Sequence, residues 1–474
     1  MVILEKKIKM TPEEKYARLN PWRLFFVVAL PGMISMFAMS IYSVIEGAFI
    51  GQTLGEGAFA AINIAFPLVF INFSLADLVG VGASVPISIA LGKKDNETAN
   101  NVFSCSLIMI VCAAFFTGIV MFFAAAPLCR MMGATDELLY TSMRYLRTFA
   151  VCGPVTTLFF AMDNYLRISG YVKSSMAINI GQNLLTVALL ALFLFGFKTD
   201  VVGSAFAICI SMCVAAAVAL IPFIRKKTIL RFARPRFHLS MFKEIFACGS
   251  PVFLSNIAGR VTSILMNISL MRIGLAVLGE GGGTTAVAAY GVLMYASDLC
   301  WPLIFGISDS LSPSIGYNWG AKNYGRVKRI VGCGYIGTAT VGLISTALLF
   351  FGAPVVARIF VSTEDAVLLS LSEHGIRLFC FAYLFRWFGV MTQSFFSAIE
   401  KPVLATVMSV SIALVFPVLC LGALWSLGLD GLWLNFVGTN VLAAILGAIL
   451  LVYILRMIKR REETERLAAA IDED

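Results

Sequence analysis

Apolar residues along the chain gather into twelve long runs, near residues 22–51, 58–91, 102–128, 138–165, 174–196, 202–224, 242–276, 286–318, 327–353, 374–399, 404–427 and 432–457. A helix needs about 20 apolar residues to cross a bilayer, so the pattern predicts twelve spanning helices. Several runs exceed 25 residues, which predicts tilt or extension beyond the membrane rather than further spans.

Composition agrees with that pattern and narrows it. Apolar residues make up 59% of the 474 and charged residues 13%, with a mean hydropathy of +0.89. A soluble protein of this length would need far more polar surface to cover its core. Soluble enzymes, secreted disulfide scaffolds and nucleic-acid binders are therefore excluded. The eleven cysteines lie within or at the edges of apolar runs, no CxxC occurs, and only His238 and His374 are present. Neither a metal cluster nor a disulfide framework is expected. The first 23 residues are polar and charged, without the ordered regions of a signal peptide, so the first run reads as a retained span.

Lysine and arginine placement tests the span count. With the N-terminus on the cytoplasmic side, 27 of the 36 fall on that side and 3, Arg130, Lys198 and Arg358, on the other. Both termini are thus expected in the cytoplasm, the side that gathers basic loops. The longest basic stretch, Arg225 to Lys243, reads as an inter-lobe linker or an anionic-lipid site. The expected organisation is an N-terminal segment 1–21, an N-lobe 22–224, a basic linker 225–241, a C-lobe 242–457 and a charged tail 458–474, read as a short helix or frayed end.

The chain also repeats itself. AFAAI at Ala58–Ile62 returns as AVAAY at Ala286–Tyr290, Gly92 before Lys94 as Gly320 before Lys322, and Thr135-Asp136-Glu137 as Thr363-Glu364-Asp365. The offset is near 228 throughout, which marks an internal duplication. Six spans per repeat, an even number, make the repeats parallel, related by an axis along the membrane normal. Two six-helix lobes around a central cavity follow, an all-α transporter architecture.

Ionisable residues inside spans are costly and usually face a cavity or a partner. The candidates are Glu46, Asp77, Asp163, Asp298, Asp309, Arg147, Arg260, Arg377 and Arg386. Each acid reads either as one half of a buried ion pair or as a group that takes up H⁺ or Na⁺; Asp163 and Asp309 are expected near the cytoplasmic ends, within reach of water. The fifth span sets Asn179, Gln182, Asn183 and Thr186 on one helical stripe. Glu46, Asp77, Asn183 and Thr186 are the expected cation-coupling set, with Glu46 the possible Na⁺ ligand. Asn179, Asp298, Arg260 and Arg386 are the expected substrate-cavity residues. Pro31 and Gly32 are the expected hinge of the first span.

Four segments resemble a known family: YSVIEGAFIG (Tyr42–Gly51), VGVGASVPISIALGKKDNETA (Val79–Ala99), SPSIGYNWGAKNYGRVKRI (Ser312–Ile330) and SAIEKP (Ser397–Pro402). They look like the multidrug and toxic compound extrusion (MATE) family. The resemblance implies alternating access and export of bulky, often cationic compounds in exchange for H⁺ or Na⁺. It also implies an acidic residue on the first span, here Glu46, and a functional Asn on the fifth, where Asn183 is the nearest match. Where many members carry an Asn and then an Asp along that span, this chain has Thr186 and Leu190. Ser411-Ile412 stands where an Arg-Gln pair is often seen, and Asn435–Asn440 contains no acid.

The reading is an ion-coupled antiporter of the cell membrane that exports bulky, cationic multidrug-type compounds. It is not an enzyme, needs no cofactor beyond the coupling ion, binds no nucleic acid, and is expected to work in the lipid bilayer as a monomer. Arg260 and Arg386 keep a second reading open, a flippase for a lipid-linked or anionic amphiphile. A membrane-embedded enzyme is a remote third, because no paired-His metal motif, Gly-x-Ser-x-Gly or P-loop is present.

Overall fold

A computed structural model describes residues 12–361 and 365–472. Lys6, Lys7 and Lys9 of the N-terminal segment, and the Thr363-Glu364 part of the repeat, lie outside those residues. About 90% of the chain is helical, with no strand among the described residues. Among the described residues, twelve helices are long and apolar enough to cross a membrane. They are α1 (Pro21–Gly47), α2 (Ala61–Gly92), α3 (Asn96–Phe123), α4 (Asp136–Ile168), α5 (Val172–Gly196), α6 (Val201–Ile224), α7 (Leu239–Leu278), α8 (Gly282–Gly320), α9 (Tyr324–Phe360), α10 (Ala366–Ala398), α11 (Pro402–Ala423) and α12 (Trp425–Glu463).

Two boundaries differ from the sequence pattern. Helical backbone runs unbroken over Pro21–Gly92, 72 residues, where the pattern predicts a break between the first two spans. Straight, it would extend about 108 Å. Instead both arms reach the same neighbour: Gly32 lies against Gly306 and Ser310, and Gly92 against Tyr317 and Ala321. The chain therefore folds back between α1 and α2 without leaving helical geometry. At the other end, the charged tail is not a separate helix but continues the last span to Asp472. Lys328 anchors it by pairing with Glu462 at 2.8 Å.

Turns on the face that carries the basic loops, here the basic face, are built alike in both halves. Asp95 caps α3 by accepting from the Thr98 amide at 3.0 Å, and Asn323 caps α9 by accepting from the Arg326 amide at 3.2 Å. Just before each cap sits a lysine with positive φ, Lys94 at 62° and Lys322 at 56°. The basic stretch after α6 is extended and fastened to α3. Asn100, Ser104 and Asn101 accept from the amides of Arg231, Ala233 and Arg236 at 2.7, 2.9 and 2.8 Å.

The buried apolar residues show how the halves meet. One cluster draws on both, including Leu24, Val85, Ile89 and Phe103 with Leu311, Ile315, Val327 and Phe395. Beyond it the cores separate. Leu270, Leu293, Phe379 and Trp433 belong to a cluster of the C-half alone. Ile50, Val69, Leu146 and Phe149 belong to one of the N-half alone, and Leu190 and Leu194 to another. The halves thus share a core near the basic face and keep separate cores above it.

Candidate functional site

Small residues let the joined region close. A Cβ on Gly82 would fall 2.2 Å from the Ile245 carbonyl oxygen, and one on Gly320 would fall 2.1 Å from that of Ile89. Backbones therefore touch along α2–α7 and α2–α8, as small residues permit between spans. Gly32 makes the matching approach of α1 to α8, so the residue expected as a hinge stands at a packing contact between the halves.

At this seam lies the most buried charged side chain among the described residues. Arg167, at the end of α4, is 2% exposed. It pairs with Asp163 on its own helix at 2.6 Å and with Asp309 on α8 at 2.6 Å. Asp163 also accepts from the Asn179 amide at 2.6 Å and from the Ser175 hydroxyl. Asp77 on α2 lies close enough to Asp309 for the two carboxylates to repel each other. Two acids therefore pair with one guanidinium between the halves, and a third, Asp77, lies near one of them. Sequence reading counted Arg167 among the loop cations and placed Asp163 and Asp309 near water; the structure buries Arg167 between its two acids. Asn179, expected in the substrate cavity, gives its amide to this cluster.

A short helix, Pro12–Arg18, latches the seam from the basic face. The Tyr16 hydroxyl donates to the Arg167 carbonyl of the N-half. The Tyr16 carbonyl accepts from Asn318 at 3.1 Å and from Arg326 at 2.9 Å, both of the C-half. Burial pushes the Tyr16 hydroxyl pKa up, against the opposing pull of the Arg167 charge.

The second cluster lies fourteen residues beyond Gly32 on α1, about 20 Å further along the helix. The Tyr42 side chain, one turn before Glu46, lies beside the Glu46 carboxylate and Thr186. On α5, the Gln182 amide donates to Thr186 Oγ1 at 3.0 Å and to Ser211 Oγ of α6 at 3.3 Å. Thr186 and Ser211 hydroxyls lie 2.5 Å apart. The structure thus brings Glu46 and Thr186 together, with Asn183 buried on the same helix, and leaves Asp77 in the seam. Tyr42 could have been found from its i−4 spacing to Glu46. Ser211 carries no sequence signal, since only tertiary packing brings α6 to α5. One carboxylate among neutral oxygens suits a proton or a monovalent cation. No group of three His, Cys, Asp or Glu that could hold a metal occurs among the described residues.

The third cluster is on the C-half. The α8 stripe that meets the N-half runs through Gly306, Asp309, Gly316 and Gly320. Carried upward at helical spacing, it reaches Pro302 and Asp298, while Tyr295 stacks on Phe360 of α9 at 5.0 Å. One turn from Asp298, Trp301 lies under the Arg386 guanidinium at 4.1 Å, with Tyr383 at 5.6 Å. Asp298 is the nearby acid that acts on Arg386. On α7, Arg260 lies 4.6 Å above the Phe70 ring of α2, one turn beyond Asn256, which donates to Ser74 at 3.3 Å. Arg260 therefore stands where α7 of the C-half meets α2 of the N-half.

Comparison with known proteins places this geometry. The family model MatE matches twice, over residues 31–192 and 260–421. Curated relatives include the multidrug export protein MepA of Staphylococcus saprophyticus, 27% identical over 435 residues, covering 90% of this chain and 92% of the relative. MepA of Staphylococcus aureus strain NCTC 8325 matches with the same identity and coverage. A solved outward-facing structure of a multidrug resistance MATE family transporter aligns with a TM-score of 0.85 at 24% identity, over 95% of this chain and 100% of the other. A Pyrococcus furiosus transporter of the MOP superfamily, described as having a binding pocket of reverse polarity, aligns at 0.86 and 23%, over 95% and 99%.

Proposed function

Because the chain belongs to the MatE family, and so is a multi-pass membrane transporter rather than an enzyme, we propose that it exports bulky organic compounds through the inter-lobe cleft in exchange for H⁺ or Na⁺. The observation that carries this reading is the division of the core: shared by both halves at the basic face, separate above it. That is one end state of an alternating-access cycle, open away from the basic face. The positive-inside rule makes the basic face cytoplasmic, with both termini there. The cleft then opens outward, the direction in which an exporter releases its load. The multidrug export named for the MepA relatives supports the same class of substrate.

Glu46, beside Tyr42 and Thr186, takes up the coupling ion from the open cleft. Arg167 and its acids hold the cytoplasmic side shut until the cycle turns. An ion can drive that turn only by binding the two states unequally. The buried Glu46 site meets this condition if α1 repacks against α5 when the cleft closes.

The test is efflux of a fluorescent dye from proteoliposomes under an imposed H⁺ or Na⁺ gradient, wild type beside Glu46→Gln. Uphill movement that depends on one gradient and is lost in the variant is expected. Uphill movement that survives Glu46→Gln would remove Glu46 from coupling, and movement indifferent to both gradients would remove ion exchange.

A further inference from the structure

Resting on the reading of export through the cleft, we infer that the compounds it holds carry an anionic group, a carboxylate or sulfonate on a planar aromatic body, bound by Arg386 and Arg260. Two guanidiniums stand where the C-half borders the cleft. Neither forms an ion pair within 4 Å among the described residues. Each lies over an aromatic ring, Arg386 over Trp301 at 4.1 Å and Arg260 over Phe70 at 4.6 Å. Stacking uses the flat face of a guanidinium and leaves its edge of N–H donors free. That edge forks onto the two oxygens of a carboxylate.

Charges around the cleft decide the polarity. Asp298 lies near Arg386 without pairing with it, and Arg260 has no acid within ion-pair distance among the described residues. On the N-half wall the acid is Glu46, whose carboxylate lies beside Tyr42. A ligand that is only cationic would face two guanidiniums, of which only Arg386 has an acid nearby, in a site with low-dielectric walls, where like charges repel strongly. A ligand with an acidic group on an aromatic ring satisfies both. Its anion takes the guanidinium edge, and its ring packs beside Trp301, Tyr383 and Phe70. A further cationic group on the same molecule is compatible with Asp298.

Two xanthene dyes make a matched pair, since fluorescein is anionic and rhodamine 6G cationic on nearly the same ring system. Binding to purified protein is followed by tryptophan fluorescence, with Trp301 in the site, and transport by efflux from proteoliposomes. Wild type is expected to bind fluorescein at least about tenfold more tightly than rhodamine 6G and to move it. Arg386→Gln is expected to weaken fluorescein binding about tenfold and leave rhodamine 6G within about twofold. Arg386→Lys, which keeps the charge, should retain part of the preference. Arg260→Gln repeats the test at an independent position, in case Arg386→Gln does not fold.

Rhodamine 6G moved, with fluorescein neither bound nor moved, would overturn the inference and leave the export reading standing. Fluorescein bound equally by wild type and both glutamine variants would overturn the assigned site. Fluorescein bound at the arginines but moved under no gradient would keep the anion site and remove the export reading. Neither dye bound nor moved would count against both.

Discussion

At the basic face the turns of the N-half and the C-half are built alike. Lys94 and Lys322 take the same left-handed backbone, as do Gly170 and Glu400, and Asp95 and Asn323 cap equivalent helices. The charges along α2 and α8 do not follow. At the offset of 228, Phe70 corresponds to Asp298 and Asp77 to Phe305, so acid and aromatic have exchanged places. The N-half supplies an acid held by hydroxyls, and the C-half supplies guanidiniums on aromatic rings. The duplicated parts are those that backbone geometry demands: tight turns, helix caps and close approaches. Side chains facing the cleft carry no such demand, and each half has been free to take a different chemical task.

The largest expected effect breaks the comparison where the halves are tied. Arg167→Ala leaves Asp163 and Asp309 buried without their counter-charge. Removing one partner of a buried pair costs about 3–5 kcal/mol. Thermal unfolding in detergent should show the loss. A cysteine placed at the seam should also become accessible from the basic face. Arg386→Gln on the half-buried cleft wall should cost about 0.5 kcal/mol or less, as changes away from packed cores do. Equal losses at the two arginines would show that the seam is not the special charge site described here.

Next in size is the packing at the seam. A side chain on Gly320 meets the Ile89 carbonyl oxygen at 2.1 Å, whereas Gly291, elsewhere on the same helix, has nothing within 4 Å. Gly320→Val should cost about 1–3 kcal/mol by overpacking, and the cost falls on the state in which the seam is shut. Spin-label distances across the basic face should lengthen. Gly291→Ala should leave those distances unchanged, and stability unchanged or raised by up to about 1 kcal/mol, since alanine favours a helix more than glycine does. Distances that respond equally to both changes would argue against a seam closed by small residues.

Thr186→Val sharpens the contrast between the clusters. Its hydroxyl ties Gln182, Ser211 and the Tyr42 partner of Glu46, and a lost buried hydrogen bond costs about 1 kcal/mol. Stability should fall by that much, and gradient-driven efflux should fall with it. Asp298→Asn, on the other wall, should alter which dye binds and leave the gradient dependence intact. Gradient dependence lost in Asp298→Asn and kept in Thr186→Val would reverse the roles given to the two halves.

Much of the fold was legible because each step has a local cause. Apolar runs of membrane length mark spans, and a fixed offset between matching motifs marks a duplication. The fold-back between α1 and α2 was not legible, because Gly51 to Gly57 reads as a breaker while the chain keeps helical geometry there. In the same way Asp163 and Arg167, at i and i+4, announce their own pairing. Asp309 is 142 residues from Arg167, and only the meeting of the halves brings it in. Thr186 and Glu46 were chosen for their residue types. Tyr42 as the link between them, and Asp77 in a different cluster, follow from packing that no spacing encodes.

The smallest effect tests the likeness of the halves rather than their difference. Asp95 and Asn323 make the same cap, so replacing either by alanine should cost about 1 kcal/mol near neutral pH. The two differ only in that Asp95 titrates. Hydrogen bonds from the Thr98 side chain and amide, with help from Lys93, hold its carboxyl below the usual carboxylate range. A depressed folded pKa adds stability that is present above the unfolded value, about 3.9, and drains away as the pH falls through the folded value. Neutral Asn323 has nothing to lose on that interval. Unfolding of the two alanine variants against wild type should therefore match at pH 7 and diverge below about pH 4, where the cost of Asp95→Ala shrinks and that of Asn323→Ala persists. Costs that differ already at pH 7 would mean that the duplicated turns, though alike in backbone, are loaded differently by the halves they join.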